Sequence, residues 1–296
     1  MVWYNKMIEG RWRLGMPAVP FFLEVIEMKV AKIVAVVLGA VMLFSFSSCK
    51  KETKAAGLTI KDGVLMVGME IGYPPFEYFD TDGKTPVGFD VQLANALAGK
   101  LGLKVEIVDT AWDGIFAGVD TSKYDCIMSA VTFTSERAEK FNFTKPYIGN
   151  AQALVLLKGS SVKARTPEEL GGLGVAYQAE TTSDIYMTKL AEEKNLKFTA
   201  YEYDKVMNCF DDLKSGRADA IVCDSLVAVD YVNAENSPFE IVWLGEADEV
   251  FAVCLKKGND ALTAKLNEAL DALFAEGTML KISKDIFGVD MVSSVR

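Results

Sequence analysis

The 296-residue chain contains no histidine, which excludes Ser-His-Asp hydrolysis, Cys-His proteolysis and His-ligated zinc. Carboxylates, Lys, Arg, Tyr and Cys are left to do any chemistry. Several of these stand where an element begins or ends. Arg137 lies three residues after Thr134, in the first turn of a short helix. There a guanidinium either offers a two-pronged fork to a carboxylate or pairs locally with Glu136. Asp224 closes the apolar run Ala220–Cys223, so its carboxylate emerges at the C-terminal end of a strand. It faces a crevice there or caps the next helix. Thr181 and Thr182 open a further helix, where amides and hydroxyls serve as a cap or receive an anion. Tyr73 and Trp112 carry broad aromatic faces, for core packing or for stacking on a planar or cationic group. Each residue taken alone allows both readings.

The elements that must position them alternate strand and helix twice. The first set is a strand at Val64–Met69, a helix capped by Asp90 and ending at Gly102, and a strand at Val105–Val108. A short helix at Trp112–Val119, a strand at Asp125–Ser129 and a helix capped by Thr134 or Ser135 follow. The second set is a strand at Gly174–Tyr177, a helix from Thr181 and a strand at Lys197–Tyr201. A helix capped by Asp204 and ending near Gly216, and a strand at Ala220–Cys223, complete it. This order predicts an α/β fold of two lobes, each a mainly parallel sheet flanked by helices. The run Ala151–Leu157 is expected to cross to the second lobe, with Glu240–Leu244 and Phe251–Leu255 returning. Two connections of this kind make a hinge. Asp260–Glu276 reads as an ordinary core-packing helix, with Leu262, Leu266, Leu270, Leu273 and Phe274 at helical spacing.

Composition narrows the function. At 50% hydrophobic and 24% charged residues, the chain is neither a disordered tail nor a collagen nor a small disulfide scaffold. A charge of −10 without a basic cluster makes the chain a poor nucleic-acid binder, so no nucleic-acid partner is expected. The uncharged run Ile33–Phe46 is shorter than the roughly 20 residues a membrane-spanning helix needs. Preceded by Lys29 and Lys32 and followed by small residues, it reads as a secretory signal, with the true start expected at Met28. Phe46-Ser47-Ser48-Cys49 resembles a bacterial lipobox, in which Leu is usual where Phe46 stands. Residues 1–48 are therefore expected to be a leader, Cys49 a lipidated anchor and 49–57 a tether. The folded part is expected to divide into lobe 1, residues 58–149 plus 247–296, and lobe 2, residues 150–246. Cys126, Cys209, Cys223 and Cys254 are expected to be free thiols, because most lie in apolar strand-like runs.

Six segments then appear in order. They are Gly68-Met69-Glu70-Ile71-Gly72-Tyr73-Pro74-Pro75-Phe76-Glu77, Gly88-Phe89-Asp90-Val91, Trp112-Asp113-Gly114-Ile115, Ser129 to Arg137, Gln178-Ala179-Glu180-Thr181-Thr182, and Asp219 to Asp224. Together they resemble the extracellular solute-binding proteins of polar amino-acid ABC transporters, over about Leu58 to Gly288. The resemblance implies an exported, monomeric, non-enzymatic protein without cofactor or metal, working in the periplasm or at the cell surface. Its expected partners are a free L-amino acid, an ABC permease of the inner membrane, and the membrane through the lipid anchor.

It also implies a site. Arg137 takes the ligand's carboxylate, with Thr181 and Thr182. Asp224 takes the ammonium, with Thr132 and the carbonyl of Ala130. Tyr73 and Trp112 flank the side chain and Glu70 lies near its far end. Such a constellation suits a basic amino acid, arginine or lysine, with glutamine or another neutral polar amino acid as the alternative. Relatives often have Gly where Glu180 stands and Ser where Ala130 stands. Other relatives are dehydratases of cyclic acids, for which Glu180 or Glu70 would be the general acid.

Overall fold

A computed structural model of the chain describes residues 57–295. The expected leader, the lipobox with Cys49, and the tether up to residue 56 lie outside the described residues. The described residues fall within one compact unit, Thr53–Arg296. Among them no helix is long and apolar enough to cross a membrane.

The first half runs β1 (Val64–Met69), β2 (Tyr78–Phe79), β3 (Pro86–Val87), α1 (Phe89–Lys100) and β4 (Lys104–Asp109). It continues through α2 (Trp112–Asp120), β5 (Cys126–Ile127), α3 (Ser135–Lys140), β6 (Phe141–Phe143) and β7 (Ile148–Asn150). The second half holds β8 (Gln152–Leu157), β9 (Gly174–Gln178), α4 (Thr182–Lys194), β10 (Thr199–Tyr203), α5 (Val206–Ser215), β11 (Ala220–Asp224) and α6 (Ser225–Asn233). Then come β12 (Phe239–Leu244), β13 (Glu249–Phe251), β14 (Cys254–Lys256), α7 (Asp260–Ala275) and α8 (Thr278–Phe287).

Two five-stranded sheets make the two lobes, in the orders β4-β1-β5-β14-β6 and β10-β9-β11-β8-β12. They share one plan. Three parallel strands are followed by an antiparallel one, β14 or β8, and then by an edge strand. The central strands β9 and β11 are buried along their whole length, which is why they read as near-continuous apolar runs. On α5, Val206, Cys209, Phe210 and Leu213 form the buried stripe of an amphipathic helix, which ends on Gly216 in the left-handed conformation.

The chain passes between the sheets twice. It leaves the first through β7 and returns through β13, and these pair antiparallel as a two-strand hinge. This relocates the expected crossover. Ala151–Leu157 does not bridge the lobes; its strand, β8, is an interior member of the second sheet, between β11 and β12. An apolar run suits either place, and only the pairing decides. Two expected caps also move. Gly88 caps α1, while the Asp90 carboxylate accepts from the Ala130 amide at 2.8 Å and the Tyr147 hydroxyl at 2.9 Å. Lys205, not Asp204, precedes α5. Thr134 does cap α3, accepting from the Arg137 amide. The expected strand at Asp125–Ser129 is ladder-paired only at Cys126–Ile127, and the strand expected at Lys197–Tyr201 lies two residues later.

Candidate functional site

The carboxyl ends of the parallel strands of both sheets meet at one cavity. Its walls are Glu70, Tyr73, Trp112, Ser129, Ala130, Thr132, Arg137, Gln178, Thr181, Thr182 and Asp224, and its empty volume is about 300 Å³. All nine residues singled out in the sequence therefore line one space. Ser129 and Gln178 lie inside two of the six quoted segments, but nothing in their own chemistry separated them from packing residues. Phe76, in the first segment, packs in the core against Phe89, Phe251 and Phe287.

β1 delivers Glu70 and Tyr73 from one sheet. β11 delivers Asp224 from the other, at the strand end its apolar run implied. Asp224 is buried, and its carboxylate accepts from the Tyr73 hydroxyl at 2.5 Å, the Asn150 amide at 2.7 Å and the Gln152 amide at 3.3 Å. Asn150 and Gln152 also donate to Glu249, at 2.8 and 3.0 Å. Burial, with Glu249 nearby, raises the Asp224 pKa to about 7 despite these donors. Neither Asn150, Gln152 nor Glu249 was visible as a site residue in the sequence. They sit on β7, β8 and β13, and converge only through strand pairing.

Arg137 is half-buried. Its guanidinium donates to the Thr132 carbonyl at 2.9 Å and to the Glu180 carbonyl at 3.5 Å. It stands 5.6 Å from the Trp112 ring and 5.0 Å from the Phe116 ring, within cation–π range. Among the described residues no carboxylate, Glu136 included, forms an ion pair with Arg137, and no cation forms one with Asp224. The site thus holds a cationic and an acidic group without counterions among the described residues.

The remaining walls are polar in a particular way. Glu70 is buried and burial raises its pKa. Its Oε2 accepts from Gln178 at 3.2 Å. Glu70 Oε1, Gln178 Oε1 and Trp112 Nε1 are buried without a hydrogen-bond partner among the described residues. Unsatisfied buried polar atoms are costly, so Gln178 Oε1 and Trp112 Nε1 mark where a polar ligand would be complementary, while Glu70 Oε1 has the Lys205 ammonium 3.5 Å away. Thr132 and Thr182 hydroxyls lie 3.4 Å apart across the cleft. Thr181 caps α4 and donates to the Gln178 carbonyl at 2.7 Å.

Residues 65–289 match the family described as bacterial extracellular solute-binding proteins, family 3. The chain belongs to this family. It is 33% identical to the L-cystine-binding protein TcyJ of Escherichia coli (strain K12) over 230 residues, which is 77% of this chain and 84% of that protein. Among solved structures it is similar to an ancestral arginine-binding protein bound to arginine. The TM-score there is 0.72 at 36% identity, covering 76% of this chain and 98% of that one. It is also similar to an ancestral amino acid-binding protein that is a precursor of cyclohexadienyl dehydratase. That TM-score is 0.68 at 35% identity, covering 76% and 95% of the two chains. Membership of this family accounts for the two lobes and for the cavity where their strand ends meet.

The departure at Glu180 now has a physical reading. Glu180 adopts φ +60, the left-handed region where glycine carries no side-chain penalty. Its amide donates to Asp184 at 2.9 Å. Glu180→Gly should therefore raise stability by about 0.5–1 kcal/mol, measured by urea denaturation. A variant less stable than the parent would show that the Glu180 side chain supplies more than the backbone strain costs.

Proposed function

We propose that the protein captures a free polar amino acid between its lobes as the substrate-binding component of an amino-acid ABC importer. One observation carries this reading. Arg137, on α3, and Asp224, on β11, line one cavity, and among the described residues neither has a counterion. A zwitterionic amino acid supplies both, its carboxylate to Arg137 and its ammonium to Asp224. Burying either charge unpaired would be unfavourable, so the ligand is selected for carrying both. Thr181, Thr182, Thr132 and Ala130 complete the backbone-end contacts, and Tyr73 and Trp112 flank the side chain.

Gln178 Oε1 is an unmatched acceptor and Glu70 a buried carboxylate beside it, which supports a side chain rich in donors, arginine or lysine. A second reading, a neutral polar side chain such as glutamine's, is favoured by the position of Lys205 Nζ, 3.5 Å from Glu70 Oε1. We read the protein as a binder and not as a dehydratase. Glu180 is exposed and is not among the cavity walls, which leaves Glu70 alone of the two candidate general acids, while Arg137 and Asp224 suit a zwitterion rather than a simple carboxylate. Lobe 1 is proposed to comprise 58–149 plus 247–296, and lobe 2 150–246. The exported monomer would be held to the membrane by lipid on Cys49 and deliver its ligand to a permease.

A thermal-shift screen against the twenty amino acids tests the reading. Arginine or lysine is expected to raise the melting temperature most. A ligand at a hundred times its Kd adds about 2.7 kcal/mol of stability. No shift with any amino acid would overturn the assignment.

A further inference from the structure

The far end of the cavity carries a charge that no motif pointed to. Lys205 precedes α5 on the second sheet's side, and its Nζ donates to the Ile71 carbonyl on the first sheet's side at 2.9 Å. The same Nζ stands 3.5 Å from Glu70 Oε1. The approach is built in from several directions. Gln178 ties the two sides together, donating to Glu70 Oε2 at 3.2 Å and to the carbonyl of Asp204, the residue before Lys205, at 2.9 Å. Gly72 sits at φ +143, and a Cβ there would lie 3.3 Å from Lys205 Nζ and 3.5 Å from Glu70 Oε1. A side chain at residue 72 would crowd the gap that lets ammonium and carboxylate face each other.

We infer that Lys205 is a specificity-determining residue, setting how strongly the cavity distinguishes a cationic ligand side chain from a neutral one. The inference rests on the amino-acid-binding reading above. Glu70 is the acidic group at the ligand's far end, and a cation held beside it cancels much of the field it would direct at that end. With Lys205 in place, Glu70 acts mainly as a hydrogen-bond acceptor. Without it, Glu70 acts as a full counterion. Lys205 is half-buried rather than a cavity wall, so it alters the charge of the site without occupying ligand space.

Arginine and citrulline test this, because they share shape and differ in side-chain charge. Calorimetry would give the citrulline-to-arginine Kd ratio for the wild type, Lys205→Met, Lys205→Gln and Glu70→Gln. The ratio is expected to rise about tenfold in Lys205→Met, in favour of arginine, and to fall in Glu70→Gln. Lys205→Gln keeps a donor for the Ile71 carbonyl while removing the charge. It should shift the ratio as Lys205→Met does, which separates charge from loss of the cross-lobe contact. A ratio within twofold of wild type in both Lys205 variants would overturn the inference while leaving amino-acid binding intact. A wild type that binds neither compound would overturn the basic-or-neutral polar reading itself and this inference with it.

Discussion

Arg137→Ala should weaken amino-acid binding by about a hundred- to several-thousandfold, because a ligand carboxylate left in the cavity without a counterion costs about 3–5 kcal/mol. The fold should survive. Among the described residues the Arg137 side chain meets two carbonyls, of Thr132 and Glu180, and two aromatic faces, Trp112 and Phe116. No ion pair among the described residues depends on it. Arg137→Lys is expected to fall between, since it keeps the charge but loses the planar fork. Calorimetry with the best ligand from the thermal screen, beside a thermal melt of the ligand-free variant, reads both halves. Unchanged affinity in Arg137→Ala would remove Arg137 from the site.

The second large effect is on pH. In the ligand-free protein Asp224 has its pKa raised to about 7, chiefly by burial, with Glu249 adding to it. An ammonium placed beside it stabilises the ionised form, so binding an amino acid expels a proton wherever Asp224 is still protonated. Affinity should therefore fall as pH drops below about 7, approaching tenfold per unit for a single linked proton. Ligand-free stability has the opposite slope. The folded-state pKa lies above the unfolded value, so the fold binds more protons than the unfolded chain between about pH 4 and 7. Asp224 thus costs stability as pH rises through that window. The gain in melting temperature from ligand should grow with pH over the same interval. Asp224→Asn should flatten this dependence and weaken binding. Calorimetry in buffers of different ionisation enthalpy counts the released proton directly. A pH-independent Kd between 5 and 8 would mean that Asp224 does not meet the ammonium.

Much of the candidate site was legible because its residues sit at ends of local elements. Asp224 follows a fully apolar strand, Thr181 and Thr182 open a helix, and Arg137 lies one turn past a capping Thr134. Such positions depend on neighbours close in the chain, so local patterning exposes them. The caps at Asp90 and Asp204 misled for the complementary reason. An acidic residue before a helical pattern looks like a cap, yet Asp90 finds buried donors 40 and 57 residues away, on Ala130 and Tyr147. Those partners offer more than one exposed amide would. The crossover run Ala151–Leu157 was misassigned because an apolar run does not say which strand it will pair with.

The sequence by itself determined the succession of strands and helices, the carboxylates, guanidinium and aromatic faces available, and the absence of any imidazole. Those follow from side-chain type and from periods of two and 3.6 residues. Tertiary structure alone decided that β8 and β14 enter their sheets antiparallel, that Asn150, Gln152 and Glu249 surround Asp224, and that Lys205 stands against Glu70. Each of these joins residues distant in the chain. Their free energy comes from burial, strand pairing and charge placed across the cleft, and none of it is present until the chain has closed on itself.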